Sequence, residues 1–445
     1  MCGIFGITNN KNASFLTYIA LYSLQHRGQE SCGIASFSNN GFKYYNGMGL
    51  VQEVFNKDII NDLSGNTAVG HVRYSTTGSS VITNAQPLFF NTKFGEFAVA
   101  HNGNIVNSAE LKETLSKSGS IFQTTTDSEI IAHLISTSKS DNFIDALIES
   151  VKKLKGAYSF VFLYENSIIA VRDPWGFRPL VIGKNGDSIA FASESCALDG
   201  TGYAFTSEVM PGEIVIAKNG DIKRFIYKSF DKYFRCIFEQ VYFARPDSVV
   251  LDKTIFMTRY EIGRSLAKQS VDLTADIVSG VPDSGTAYAL GFSEQSGIPY
   301  MPVFMKNHYA PRSFLQPQQT LREFIADLKL SPIKDTIKGR DIILVDDSLV
   351  RGTTSKKIIS KLRACGAKKI TFIVGSPPIK GPCCYGIDTP DEHELIANNM
   401  TVSEIEKFIG VDKLCYLDME SLVNACGNGN KNFCKACFDR KYPVK

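Results

Sequence analysis

Along the first half of the chain, apolar residues come in short runs cut by glycine and asparagine: CGIFGI, TAVGHVRYS, EFAVAHNGN, AYSFVFLY, SIIAVRD and EIVIA. Runs of this length, bounded by turn formers, predict strands. Helical spacing interrupts them around Ile19–Leu24 and Ser128–Ile135. The pattern is α+β, with sheets packed on each other or on helices. After about residue 230 the texture changes. ADIVSGVP, GRDIILVDD and KKITFIVGS are nearly continuous apolar runs, as in a parallel sheet covered on both faces. Between the last two, TSKKIISKLRACGA puts Ile358, Ile359 and Leu362 on one helical face, with Gly366 at its C-terminal end. That is a βαβ unit. Two domains are therefore expected, 2–230 and 231–445, although no Pro/Gly linker marks the boundary near Lys228–Arg235.

Length agrees, since 445 residues exceed what one ordinary core organises. A formal charge of +3 without a Lys/Arg run gives no nucleic-acid footprint. No apolar stretch approaches the roughly 20 residues of a membrane span. The start, MCGIFGITNN, lacks the basic and apolar regions of a secretory signal. The expectation is a cytoplasmic protein with neither nucleic acid nor membrane as partner. Eleven cysteines are many for such a protein, and an odd count spread over a long chain in a reducing compartment is not a disulfide framework. Most should be buried thiols, with a minority bound to metal or used in catalysis.

Cys2 is the most informative of them. Removal of Met1 would leave a thiol and a free α-amine on one residue. That amine, with an ordinary pKa of about 8, could serve as the thiol's own base. On this residue alone, a chance cysteine at a tolerant terminus remains the alternative. Arg73, in the run His71–Thr76, ends a strand where its fork could grip a carboxylate. Asn102 and Gly103 follow another strand and could donate a side-chain and a backbone N–H to an oxyanion. Asp127 opens a helix, where an N-cap is the competing role.

CGIFGI, LQHRGQES, GHVRYST, AHNGNIVN and TTTDSE together resemble, in order and spacing, the class II glutamine amidotransferases. These are N-terminal-nucleophile hydrolases with a four-layer αββα fold. The resemblance implies that Cys2 attacks the glutamine side-chain amide and its α-amine moves the proton. It implies further that Arg73 binds the substrate carboxylate and Asp127 its ammonium, while Asn102 and Gly103 hold the oxyanion. His26, His71 and His101 are then structural.

In the second half, Ile342–Ser355 runs from a buried strand through a tight loop into a helix. Gly352 and the hydroxyls of Thr353, Thr354 and Ser355 at that N-terminus suit a monophosphate. The pattern is not a Walker loop. Asp346 and Asp347 point to sugar hydroxyls and Mg²⁺, with a helix-capping acidic turn as the alternative. VDDSLVRGTTS closely resembles the phosphoribosyl-diphosphate motif of type I phosphoribosyltransferases, an α/β fold with a parallel sheet. That resemblance implies a phosphate loop at Arg351–Ser355 preceded by Ser348, and Mg²⁺ touching Ser284, Asp346 and Asp347. Gly280–Gly285 looks like the diphosphate loop. Lys306–Lys334 is long and poor in apolar runs, as expected of a lid.

This order of halves resembles the glutamine phosphoribosylpyrophosphate amidotransferases, down to RDPWGFRPL, ASESCA and YFARPDS. The implied reaction is the first step of de novo purine synthesis. Glutamine and phosphoribosyl diphosphate are the substrates, and ammonia released at Cys2 is channelled to the second site. Feedback by purine nucleotides and a homotetramer are implied as well. Cys434 and Cys437 form a CxxC, which alone is divided among zinc, redox and chance. With Cys236 and Cys383 they match the ligands of a [4Fe–4S] cluster in one branch of that family, although four thiolates also suit zinc. Cys383 is preferred over Cys384 on that alignment. Relatives in this branch often carry a propeptide before the nucleophile and some extend further at the C-terminus. Here only Met1 precedes Cys2, so simple Met removal is expected. Another class II amidotransferase would lack VDDSLVRGTTS, and a non-catalytic sensor of phosphoribosyl diphosphate would need no Cys2.

Overall fold

The computed structural model describes residues 1–75, 77–307 and 329–444. Two antiparallel sheets make up the first half. One has seven strands in the order Ala204–Glu208, Val181–Asn185, Ser188–Ala192, Gly3–Thr8, Thr67–Arg73, Ser31–Ser38 and Gly41–Met48. The other has six, in the order Asp221–Ile226, Glu213–Lys218, Ser167–Arg172, Gly156–Tyr164, Gly95–Ile105 and Leu88–Thr92. Their inner faces meet through Ile4, Val69, Ala100, Val161, Ile168 and Phe191, all fully buried. Helix Ala13–Ser23 covers the outer face of the first sheet, and helices Ile130–Thr137 and Phe143–Lys153 cover the second. The result is the expected αββα sandwich, in which the central strands of each sheet are covered on both faces. That explains why strands such as GIFGIT are buried throughout instead of alternating.

In the second half, Ile277–Gly280, Asp341–Asp346, Lys369–Val374 and Lys413–Tyr416 form a parallel sheet in that order. Ile343, Val345 and Ile373 face helices Ile255–Gln269 and Thr286–Ser296. Leu344, Phe372 and Val374 face helix Thr353–Ala364, whose Ile358, Ile359 and Leu362 are the apolar stripe read from the sequence. A short ribbon, Phe304–Lys306 against Leu330–Pro332, closes the base of the expected lid segment. Residues 308–328 of that segment, like Thr76, lie outside the described residues. No described helix is long and apolar enough to cross a membrane.

Candidate active sites and a four-cysteine pocket

Strand Gly3–Thr8 is flanked by Ser188–Ala192 and Thr67–Arg73, with Gly3 opposite Val72. That register sets Cys2 beside the end of the neighbouring strand. Its Sγ lies 3.6 Å from the Tyr74 carbonyl, and its carbonyl accepts from Arg27 Nε at 2.9 Å. Its N–H donates to Asn102 Oδ1 at 3.2 Å, from the opposite sheet. Among the described residues, Asn102 Nδ2 is buried without a hydrogen-bond partner, a condition that costs about 1–3 kcal/mol. A donor in this state is free to bond a ligand oxygen. Met1 is buried with Ile237 and Phe238 of the second half. Burial, more than any other influence, pushes its amine down to about 6.

Gly103 has φ +154°, and a Cβ there would stand 2.1 Å from the Ala157 carbonyl of the adjacent strand. Only glycine fits while the strand pair holds. Gly103→Ala is expected to cost about 1–3 kcal/mol and to lower glutamine hydrolysis; thermal unfolding and glutamate release check both.

The glutamine clamp is more reserved than the sequence implies. Arg73 is almost fully buried. Its guanidinium donates to the Ser79 and Thr77 carbonyls at 3.1 and 3.3 Å and lies 3.5 Å from Glu30. A substrate carboxylate would have to displace those carbonyls. Asp127 is not the helix cap. Helix Ile130–Thr137 starts after Glu129, which instead accepts from the Gln123 and Thr124 N–H groups, while Asp127 Oδ2 accepts from Ile105 N–H at 2.8 Å. Desolvation pushes His71 down to about 3 and lowers His101 too. Their rings bond to the His101 carbonyl and the Ser128 hydroxyl, and His26 binds Glu194 at 2.8 Å. Each of the three rings thus has one nitrogen engaged within the fold.

The two loops of the second half leave the carboxyl ends of adjacent parallel strands, where α/β sheets bind ligands. Ser284 Oγ donates to Asp346 Oδ1 at 2.8 Å, and the Asp347 N–H reaches the same oxygen at 2.9 Å. Burial, then the neighbouring Asp347 charge, pushes Asp346 well above the carboxylate range. Burial raises Asp347 as well, against hydrogen bonds from Ser348, Asp346 and Ser284. Two carboxylates crowded in this way suit a divalent cation. Gly352 precedes helix Thr353–Ala364 with φ +75° and leaves the first-turn N–H groups, with Thr353 and Thr354 exposed, facing out. Ser355 is buried, and Arg351 pairs with Glu394 at 2.8 Å.

Cys236, Cys383, Cys434 and Cys437 line one pocket with Arg178, Tyr385 and Ile387. Cys384 is exposed and absent from that lining. Strand Arg235–Cys236 pairs with Phe433–Cys434, which brings two distant segments together. Burial pushes the Cys236 thiol up to about 11 and Cys434 and Cys437 further, so thiolates there need bound cationic metal. Among the described residues, no three of these sulfurs lie within 4.8 Å of one another. One tetrahedral ion with bonds of about 2.3 Å draws its four sulfurs to about 3.8 Å of each other. The ring is wider than that.

Comparison with known proteins agrees with both halves. Residues 71–200 match the family described as glutamine amidotransferase domain. Amidophosphoribosyltransferase 1, chloroplastic, of Arabidopsis thaliana is 45% identical over all of this chain and 79% of its own length. Amidophosphoribosyltransferase of Methanocaldococcus jannaschii is also 45% identical, over all of this chain and 98% of its own. The chain belongs to the amidophosphoribosyltransferase family. The B. subtilis glutamine phosphoribosylpyrophosphate amidotransferase, solved with ADP and GMP, superposes with a TM-score of 0.94 at 42% identity, covering all of this chain and 98% of that one.

In this amidophosphoribosyltransferase the halves meet along Cys383–Asp388. Asn104 Nδ2 donates to the Cys384 carbonyl at 2.9 Å, and Tyr74 Oη to Asp388 at 3.2 Å. A Cβ on Gly386 would stand 2.8 Å from the Gly103 carbonyl. Behind Cys2 lies a buried ion network that sequence reading passed over: Arg27 between Glu194 and Glu239, with Arg178 also on Glu239. Arg27, Glu194 and Arg178 sit in LQHRGQES, ASESCA and RDPWGFRPL, while Glu239 lies in CIFEQV, outside every segment singled out.

Proposed function

We propose that this amidophosphoribosyltransferase converts phosphoribosyl diphosphate, glutamine and water to 5-phosphoribosylamine, glutamate and diphosphate, with glutaminase and transferase domains at 2–230 and 231–445. The unpartnered Asn102 Nδ2 beside Cys2 carries the reading of the first site. Once Met1 is removed, the Cys2 nitrogen becomes an amine beside its own thiol, with Asn102 Oδ1 within hydrogen-bond reach. It takes the thiol proton as sulfur attacks the side-chain amide and returns it to the departing ammonia. Asn102 Nδ2 and the Gly103 N–H stabilise the tetrahedral oxygen. Arg73 and Asp127 hold the two ends of the zwitterion.

At the second site, Thr353, Thr354, Ser355 and the helix N-terminus hold the 5-phosphate, with Ser348, Arg351 and Gly352 shaping the loop. Mg²⁺ fits the crowded pair Asp346–Asp347 with Ser284, and it would neutralise the departing diphosphate. Ammonia arriving neutral along an internal passage needs no general base there. The wide, apolar ring of Cys236, Cys383, Cys434 and Cys437 suits a [4Fe–4S] cluster better than one zinc ion. The cluster would pin three distant segments together, and neither half-reaction needs its electrons. Such a cofactor fits a reducing, cytoplasmic setting. Control by purine nucleotides is proposed on the B. subtilis relative's ADP and GMP, with a homotetramer from the family resemblance.

The experiment supplies glutamine, Mg²⁺ and phosphoribosyl diphosphate and follows glutamate and diphosphate. Release of both is expected; glutamate without diphosphate would remove the transferase assignment. The Tyr74–Asp388 bond is the proposed link between sites. In Tyr74→Phe, stimulation of glutaminase by phosphoribosyl diphosphate should fall by about threefold or more, since one hydrogen bond is worth about 1 kcal/mol. Initial rates with and without the diphosphate measure it.

A further inference from the structure

Arg178 has no task in either half-reaction, yet it is wholly buried and lines the four-cysteine pocket. Its Nε donates at 2.9 Å to the carbonyl of Tyr385, two residues beyond Cys383. Its Nη1 lies 3.2 Å from Oε1 of Glu239, three residues beyond Cys236. The guanidinium therefore joins the backbones that carry two of the four thiols.

Glu239 is shared. Arg27 donates to it through Nη2 at 2.8 Å and Nη1 at 3.1 Å, and holds the Cys2 carbonyl through Nε. Arg27 also engages Glu194, so Arg178 has only a share of one carboxylate. A buried cation so incompletely paired is costly unless another negative group lies beside it. Four thiolates around a [4Fe–4S] core leave a net negative charge in this same pocket.

We infer that Arg178 is a positioning residue that supplies the cluster's buried countercharge and, through Glu239 and Arg27, ties the cluster to the placement of Cys2. This rests on the cluster reading above. Charge and geometry are separable, because lysine keeps the charge but cannot bond Tyr385 and Glu239 together as the planar fork does.

The test uses anaerobically purified full-length enzyme and its Arg178→Gln, Arg178→Lys and Glu239→Gln variants. Iron and sulfide analysis comes first; unaltered protein with zinc and no iron overturns the cluster reading and this inference with it. In iron-loaded protein, dithionite titration followed by electron paramagnetic resonance gives the one-electron potential. Arg178→Gln should lower it, Glu239→Gln should raise it, and Arg178→Lys should leave it near the original. Equal potentials throughout overturn the countercharge while leaving the cluster in place. If Arg178→Gln assembles no cluster, Glu239→Gln decides: an upward shift supports the inference and no shift overturns it. Arg178→Lys should also lower kcat for glutamine hydrolysis about tenfold with little change in KM, as expected when a nucleophile is misplaced. Unchanged kcat would break the tie to Cys2.

Discussion

Cys2→Ala is expected to lose glutamine-dependent synthesis by about 10⁴-fold or more, while ammonia-dependent synthesis continues at close to its original rate. Cys2 is the proposed nucleophile, so removing its sulfur removes the acyl intermediate. Alanine leaves the Asn102 hydrogen bond to the residue-2 nitrogen and the Arg27 clamp on its carbonyl intact. Alanine is also small enough for Met1 to be trimmed ahead of it, so the result separates the thiol from the terminus. Diphosphate release with glutamine or with ammonium as donor reads the two activities in one assay. Equal loss with both donors would mean that Cys2 serves the transferase directly, against the division of labour proposed above.

The complementary substitution is Asp347→Asn. It should reduce ammonia-dependent diphosphate release by about 10²–10³-fold, with glutamine hydrolysis in the absence of phosphoribosyl diphosphate largely retained. Calorimetric titration should show weaker Mg²⁺-dependent binding of phosphoribosyl diphosphate. The same change should not lower the melting temperature in metal-free buffer. Asp346 and Asp347 are both pushed upward by burial, and Asp346 further by its neighbour's charge, so a neutral amide removes repulsion. Loss of activity without loss of stability distinguishes a ligand-binding carboxylate from a helix-capping one. A fall in both would favour the cap.

Sequence alone gave a good account wherever a short motif carries its own chemistry. CGIFGI, GHVRYST and AHNGNIVN became neighbouring strands because their glycines and apolar residues admit the close approach of two sheets. VDDSLVRGTTS became a strand, loop and helix for the reasons its spacing implied. Helices Ser108–Lys117 and Phe143–Lys153, and strands Ser31–Ser38 and Gly41–Met48, were not picked out. The long second strand of that pair is largely half-exposed and polar, with sequence GFKYYNGM, so no apolar run announces it. Partners were less legible still. Nothing local shows that Arg27 meets Glu239, 212 positions away. That depends on where the halves touch, which no periodicity encodes.

The Cys383–Asp388 segment bears on how the enzyme can be taken apart. It belongs by sequence to the second half, yet it packs on Gly103 and Asn104 of the first, beside the proposed oxyanion donors. The halves are consequently not interchangeable cartridges. A chimera grafting residues 2–230 onto a foreign synthase would have to bring this strip along, or build a replacement for it, to keep the Gly103–Asn104 segment packed as it is here.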